Sequence, residues 1–193
     1  MSTGRPYHHG DLRQAVLSAA VDAIAESGPA GVSLRDLARR AGVSHAAPAH
    51  HFGDKAGLLT AIAAEGYAML ADALHEAQER TRSYREVGVA YVRFAVEHRA
   101  HFAVMFQPAL FDTGDAAVAA ARARADRALT GGVDAILGEG ADPDRHLASI
   151  GAWSLVHGFA TLWLNGSLAS LDERFGDDSE AAARAVVASL FPA

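Results

Sequence analysis

With 193 residues and no cysteine, the chain has length for one or two domains with a real core, and it excludes disulfides and thiolate metal sites. Its net charge of −6 argues against a generic polyanion binder, but residues 1–60 carry six Lys/Arg against five Asp/Glu, and the remainder carries 11 against 18. Only the first 60 residues therefore escape repulsion by DNA, and they also hold five of the ten histidines.

Residues 1–10 read as a tail, either disordered or an arm on DNA through Tyr7, His8 and His9. They are too polar for a signal peptide. A first helix is predicted from about Asp11 to Ser27, with Leu12, Ala15, Val16, Ala19, Val21, Ala23 and Ile24 on its apolar side and Gly28-Pro29 ending it. The stretch Ser33 to Lys55 then organises the chain. Ser33 with Asp36 has capping-box spacing, and Leu34, Leu37, Ala38 and Ala41 recur at helical intervals. Gly42 stops that helix, and Ser44 is read as the cap of the next, up to Phe52. Small Ala38 at the crossing and Gly42 at the corner are helix-turn-helix features, with a short second helix able to enter a major groove. Placed at about the fourth position of that helix, Pro48 deletes one intrahelical bond, for less than the roughly 3 kcal/mol of a mid-helix proline.

Gly53-Asp54 caps a long helix from Lys55 to about Arg80, nearly 40 Å long at ~1.5 Å per residue. Ser83 with Glu86 is a second capping-box pair, opening a helix to about His98. A short aromatic helix follows to Gln107, then an Ala-rich one from about Asp115 to Leu137 with a weak point at Gly131-Gly132. Asp142-Pro143-Asp144 opens a helix to Asn165 that is apolar on most sides, and Asp177-Asp178-Ser179 caps a last one, Glu180 to Leu190. The reading is all-α with about nine helices. No apolar run approaches the roughly 18 residues of a membrane span, so no membrane partner is expected.

The first 60 residues resemble the N-terminal domain of TetR-family transcriptional repressors. The match rests on Val32-Ser33-Leu34-Arg35-Asp36-Leu37-Ala38, Ala41-Gly42-Val43-Ser44, and His51-Phe52-Gly53-Asp54-Lys55 leading into Leu58-Leu59. Trp153, His157 and Gly158 look like one subgroup of the family's C-terminal domains. The resemblance implies a DNA-binding domain over 1–54 and a ligand-binding and dimerisation domain over 55–193. It implies a cytoplasmic homodimer on double-stranded DNA with a palindromic operator, released by an unknown, mostly apolar small-molecule effector. Arg35 matches a base-contacting position, while Ser33, Ser44 and Lys55 match phosphate contacts. His45, Ala46, Ala47, Ala49 and His50 are expected to face the groove. Ala49 stands where many members have Tyr, and Pro48 where Leu is usual, so the contact face is unusually small.

For the effector, the candidates are Tyr91, Phe94, Phe102, Met105, Phe106, Phe111, Trp153 and His157. Ordinary core packing accounts for the same spacings. The last two long helices are expected to pair with their copies, with Gly151, Ala152, Ala160, Ala182 and Ala185 permitting close approach. The histidine pairs His8-His9 and His50-His51, and His98 with His101, lack the companions of a metal site. No nucleophile–base pair stands out, so no catalytic residue, metal or cofactor is assigned. The alternatives are a small-molecule or metal-handling helical-bundle enzyme, and a structural adaptor with a vestigial head.

Overall fold

The computed structural model describes residues 9–137 and 143–190; the Tyr7-His8 arm and the Asp142 cap lie outside them. Ten α-helices occur in order: α1 (His9–Ser27), α2 (Leu34–Arg40), α3 (Ala47–Phe52), α4 (Lys55–Thr81), α5 (Tyr84–Glu97), α6 (Arg99–Met105), α7 (Ala116–Leu137), α8 (Pro143–Leu164), α9 (Asp172–Phe175) and α10 (Ser179–Leu190). No strand occurs among the described residues. The tenth helix is the single turn α9, too short to produce a periodic signal in the sequence. α7 runs unbroken through Gly131 and Gly132, so the expected weak point is absent.

The chain divides into two compact units, 1–66 with 100–118 and 67–99 with 119–193. The division passes through α4 after Gly66 and through α7 after Val118. In the first unit, α1, α2 and α3 bury Val16, Leu17, Ala20, Ile24, Leu37 and Ala38, joined by Leu58, Leu59 and Ile62 of α4. Gly28 turns the chain out of α1 at φ +74, and its N–H donates to the Ile24 carbonyl at 2.8 Å.

α2 ends in a Schellman motif. Gly42 takes φ +66, its N–H donates to the Arg39 carbonyl at 3.3 Å, and the Val43 N–H donates to the Ala38 carbonyl at 3.0 Å. α3 starts later than its sequence reading. Its cap is Ala46, in helical conformation, and Ser44 instead offers its carbonyl to the Ala47 N–H at 3.0 Å. The physical reason is Pro48, which lies in the first turn of α3. There its missing N–H is one that no helix would satisfy, so the proline costs no hydrogen bond at all.

Asp54 caps α4 by accepting the Gly57 N–H at 2.8 Å. Six residues on, the buried Thr60 hydroxyl donates to the Ala56 carbonyl at 2.7 Å and accepts the Asp112 N–H at 2.9 Å. Thr60→Val keeps the shape and deletes both bonds. At about 1 kcal/mol net, it is expected to lower the melting temperature by roughly 2–4 °C, measurable by calorimetry.

In the second unit, α5, α8 and α10 pack on one another through Val87, Ala90 and Tyr91, Val156, Phe159 and Ala160, and Ala182, Ala183 and Val187. Glu86 leaves its expected capping role. Its carboxylate takes two bonds from the Arg184 guanidinium, at 2.8 and 2.9 Å, which hold it below the usual carboxylate range and tie α5 to α10. The Tyr84 hydroxyl donates to the Leu129 carbonyl, and burial raises its pKa to about 12.

Contrary to the expectation that no apolar run approaches a membrane span, two helices among the described residues reach that range by length and mean hydropathy, because scattered small and polar residues barely lower the average, and their burial separates them. α4 has mean hydropathy 1.3 with 56% of the window buried, as a core helix should. The α8 window has the same hydropathy but is only 17% buried. Leu147, Ile150 and Leu162 are 65%, 43% and 45% exposed. Gly151 and Ser154 open on the same side of α8 at helical spacing. Ala160 and Ala182 are not part of that exposed face, because they are fully buried within the subunit.

Candidate nucleic-acid interface and ligand site

Three arginines follow Ser33 on α2, and the structure sorts them. The Ser33 hydroxyl caps α2 by accepting the Asp36 N–H at 3.2 Å. The Asp36 carboxylate does not return the capping bond. It is held by Arg39 at 2.6 Å and by Arg40 at 2.9 Å, which lower its pKa, and Arg40 also reaches Glu26 of α1 at 2.8 Å. Arg39 and Arg40 thus spend their charge inside the head. Arg35 is exposed and joins none of these pairs.

In the turn before α3, Ser44, His45 and the cap Ala46 are exposed, and on α3 itself so are Ala49 and His50. Ala47 departs from its expected place. At 7% exposure it is turned into the head beside buried Pro48, because the late helix start moves it onto the inner side of the first turn. His51 packs next to Phe52, with ring centroids 6.3 Å apart, and the Arg13 guanidinium lies 5.2 Å from the Phe52 ring centre. These contacts fix the inner side of α3 from α1. Lys55 is half-buried, and its ammonium donates to the Ala30 carbonyl at 2.8 Å, holding the start of α4 to the turn before α2.

The outer side of α3 therefore carries short side chains and one imidazole. Long cationic side chains near it in the chain are Arg35 of α2 and Lys55 at the start of α4. Such a surface can donate to phosphates from Ser33, Ser44 and Lys55, read a base edge with Arg35, and meet thymine methyls with Ala46 and Ala49.

The effector candidates fall in both units. Phe102, Met105, Phe106 and Phe111 belong to the first, where Phe102 and Phe106 pair at 4.8 Å and Met105 is buried. Tyr91, Phe94, Trp153 and His157 belong to the second. There the fully buried Tyr91 hydroxyl accepts the Trp153 indole N–H at 3.3 Å and lies 2.9 Å from His157 Nδ1. The phenol can donate to Nδ1 of a neutral His157 while its oxygen accepts the indole N–H. Burial favours the same state by lowering the His157 pKa. Burial also drives the Tyr91 pKa well up, so the phenol stays protonated. Trp153 is 37% exposed, which leaves the network reachable from outside the core.

His157 is depressed in the folded state, so its contribution is complete above its ordinary value of 6.5 and is lost as pH falls below that value. Thermal melts from about pH 7.5 to about pH 5 are expected to show a steeper loss for the wild type than for His157→Gln. Parallel curves would contradict the assignment.

Sequence reasoning missed Glu86 with Arg184, and the roles of Thr60 and Gly57. The first pair is separated by 98 residues, and no local pattern marks it.

Comparison with known proteins places this all-α chain and its helix-turn-helix head among DNA-binding regulators. Residues 16–62 match the family described as bacterial regulatory proteins, tetR family, and residues 84–190, more than half of the chain, match the tetracyclin repressor-like C-terminal domain. The chain belongs to the TetR family. Proteins of that family are transcriptional regulators and not enzymes. The chain is 44% identical over 62 residues to an HTH-type transcriptional repressor of Mycobacterium tuberculosis, a match spanning 32% of this chain and 31% of that protein. The match to the curated relatives thus covers about a third of their length. A solved protein of unknown function from Rhodococcus sp. RHA1 is 34% identical, with TM-score 0.75 over 95% of this chain and 97% of that one. The TetR-family transcriptional regulator PfmR from Thermus thermophilus is 25% identical, with TM-score 0.65 over 89% and 94%.

Proposed function

We propose that this chain is a cytoplasmic, homodimeric, ligand-responsive repressor. Residues 1–54 bind DNA, and residues 55–193 dimerise and bind the effector. The observation that carries the DNA part is the sorting of charge on α2: Arg39 and Arg40 are neutralised by Asp36 and Glu26, while Arg35 stands exposed on the same helix. Ser33, Ser44 and Lys55 hold phosphates, and His45, Ala46, Ala49 and His50 face the groove. Two heads with two-fold symmetry read a palindromic site in successive major grooves.

The dimer part is supported by α8, whose apolar face of Leu147, Ile150 and Leu162 needs a partner; Gly151 lets a second copy come close. The effector meets Trp153 and His157 first, with Tyr91 behind them. A small, mostly apolar molecule fits surroundings that hold one neutral polar network. α4, which contributes to both units, is the lever. The effector shifts binding only by its differential affinity for the two states.

The test is a gel shift on the DNA upstream of the protein's own coding region. Saturable, competitor-resistant binding is expected, and a monomer indifferent to that DNA at low salt would favour the adaptor reading.

A further inference from the structure

In the second unit, α4 and α7 leave an open cleft of about 510 Å³ between them. His75 and Gln78 stand on its α4 side, and Arg124 and Arg127 on its α7 side. The two arginines are not equivalent. Arg124 holds the Asp72 carboxylate at 2.5 Å, and the nearby acid Glu79 is met by Arg82 at 3.4 Å. Arg127 is exposed and makes no ion pair among the described residues. The cleft therefore carries a cation without an ion-pair partner among the described residues, while Asp72 and Glu79 each have an arginine of their own. Gln78 adds an independent signal. Its amide oxygen is buried with no hydrogen-bond partner among the described residues. A buried acceptor without a donor is unfavourable, and native structures contain few.

We propose that this cleft binds a small organic anion with a hydrogen-bond donor next to its carboxylate, of the hydroxycarboxylate kind. Arg127 takes the carboxylate through paired N–H bonds, the geometry guanidinium groups favour. His75 supplies a further donor from the α4 wall. Gln78, turning about its own torsions, gives its oxygen to the ligand's hydroxyl. The anion bridges α4 to α7 where Arg124 and Asp72 already do so, and it adds a second bridge further along both helices. This site is separate from the Tyr91–Trp153–His157 network, and its occupancy is measurable without DNA.

Calorimetric titration of the full chain with malate and with succinate, which lacks the hydroxyl, tests the proposal. Malate is expected to bind saturably and about tenfold more tightly than succinate, as one added hydrogen bond allows. Arg127→Ala is expected to abolish both. Gln78→Met, similar in size but without an amide, is expected to bring malate down to succinate. Both variants should melt cooperatively, since Arg127 is exposed and Gln78→Met removes an unmet polar atom. Absence of saturable binding, equal affinity for the two acids, or malate binding unchanged in Arg127→Ala would overturn it.

Discussion

Gly151→Arg is expected to leave a folded subunit that no longer dimerises and no longer holds its operator. Gly151 is exposed on α8, and a Cβ built there meets nothing within 4 Å, so the subunit accommodates a side chain. The glycine lies among Leu147, Ile150 and Leu162, the apolar side chains that a single chain leaves in water. A guanidinium placed there must be desolvated against the partner's apolar face, at a cost of several kcal/mol. Sedimentation should show half the wild-type mass with unchanged far-UV circular dichroism. Operator affinity should fall by about 100-fold or more, because the second head no longer binds at a high effective concentration. An unchanged mass would remove α8 from the dimer interface.

Gly57→Ala is expected to damage the head itself. A Cβ at Gly57 would sit 2.0 Å from the Phe52 carbonyl oxygen, and that oxygen is backbone, so it moves only if the end of α3 moves. Overpacking of this kind costs about 1–3 kcal/mol, against a helix-propensity gain of up to ~1 kcal/mol for alanine. The net loss should appear as a melting temperature several degrees lower. The loss of DNA affinity should exceed what the stability change explains, since α3 carries the groove face. Gly131→Ala is the control of opposite sign. It lies exposed inside α7 with open space around it, and it should stabilise by about 0.4–1 kcal/mol. If both alanines stabilise, the corner between α3 and α4 is looser than the contact indicates.

What the sequence makes legible here is what local chemistry decides. Ser33, Gly42, Asp54 and Asp178 act within three or four residues of themselves, and each terminates a helix where the pattern places it. α3 was harder, because Ser44 and Pro48 compete for the same start. Proline wins by having no N–H to satisfy, which moves the cap to Ala46 and carries Ala47 out of the groove. Glu86 shows the limit of spacing rules. Three residues after Ser83 it fits a capping box, yet a guanidinium 98 residues away offers two charge-assisted bonds and takes it. α8 reads as apolar on most sides, but only its neighbours determine which side stays uncovered. The Tyr91 hydroxyl likewise joins Trp153 and His157 across 62 and 66 residues, a separation at which no periodicity helps.

The central claim is that an otherwise acidic chain grips DNA through a few cations on its head. Operator affinity against salt concentration, for the wild type, Lys55→Ala and Arg35→Ala, tests it most directly. Lys55→Ala should lower the slope of log K against log salt by about 2 per dimer, at ~0.9 per phosphate contact on each head. Arg35→Ala should weaken binding with less change in slope and reduce discrimination at one base of each half-site by about 1–3 kcal/mol. Wild-type affinity indifferent to salt, or a double variant that binds as the wild type does, would contradict the account.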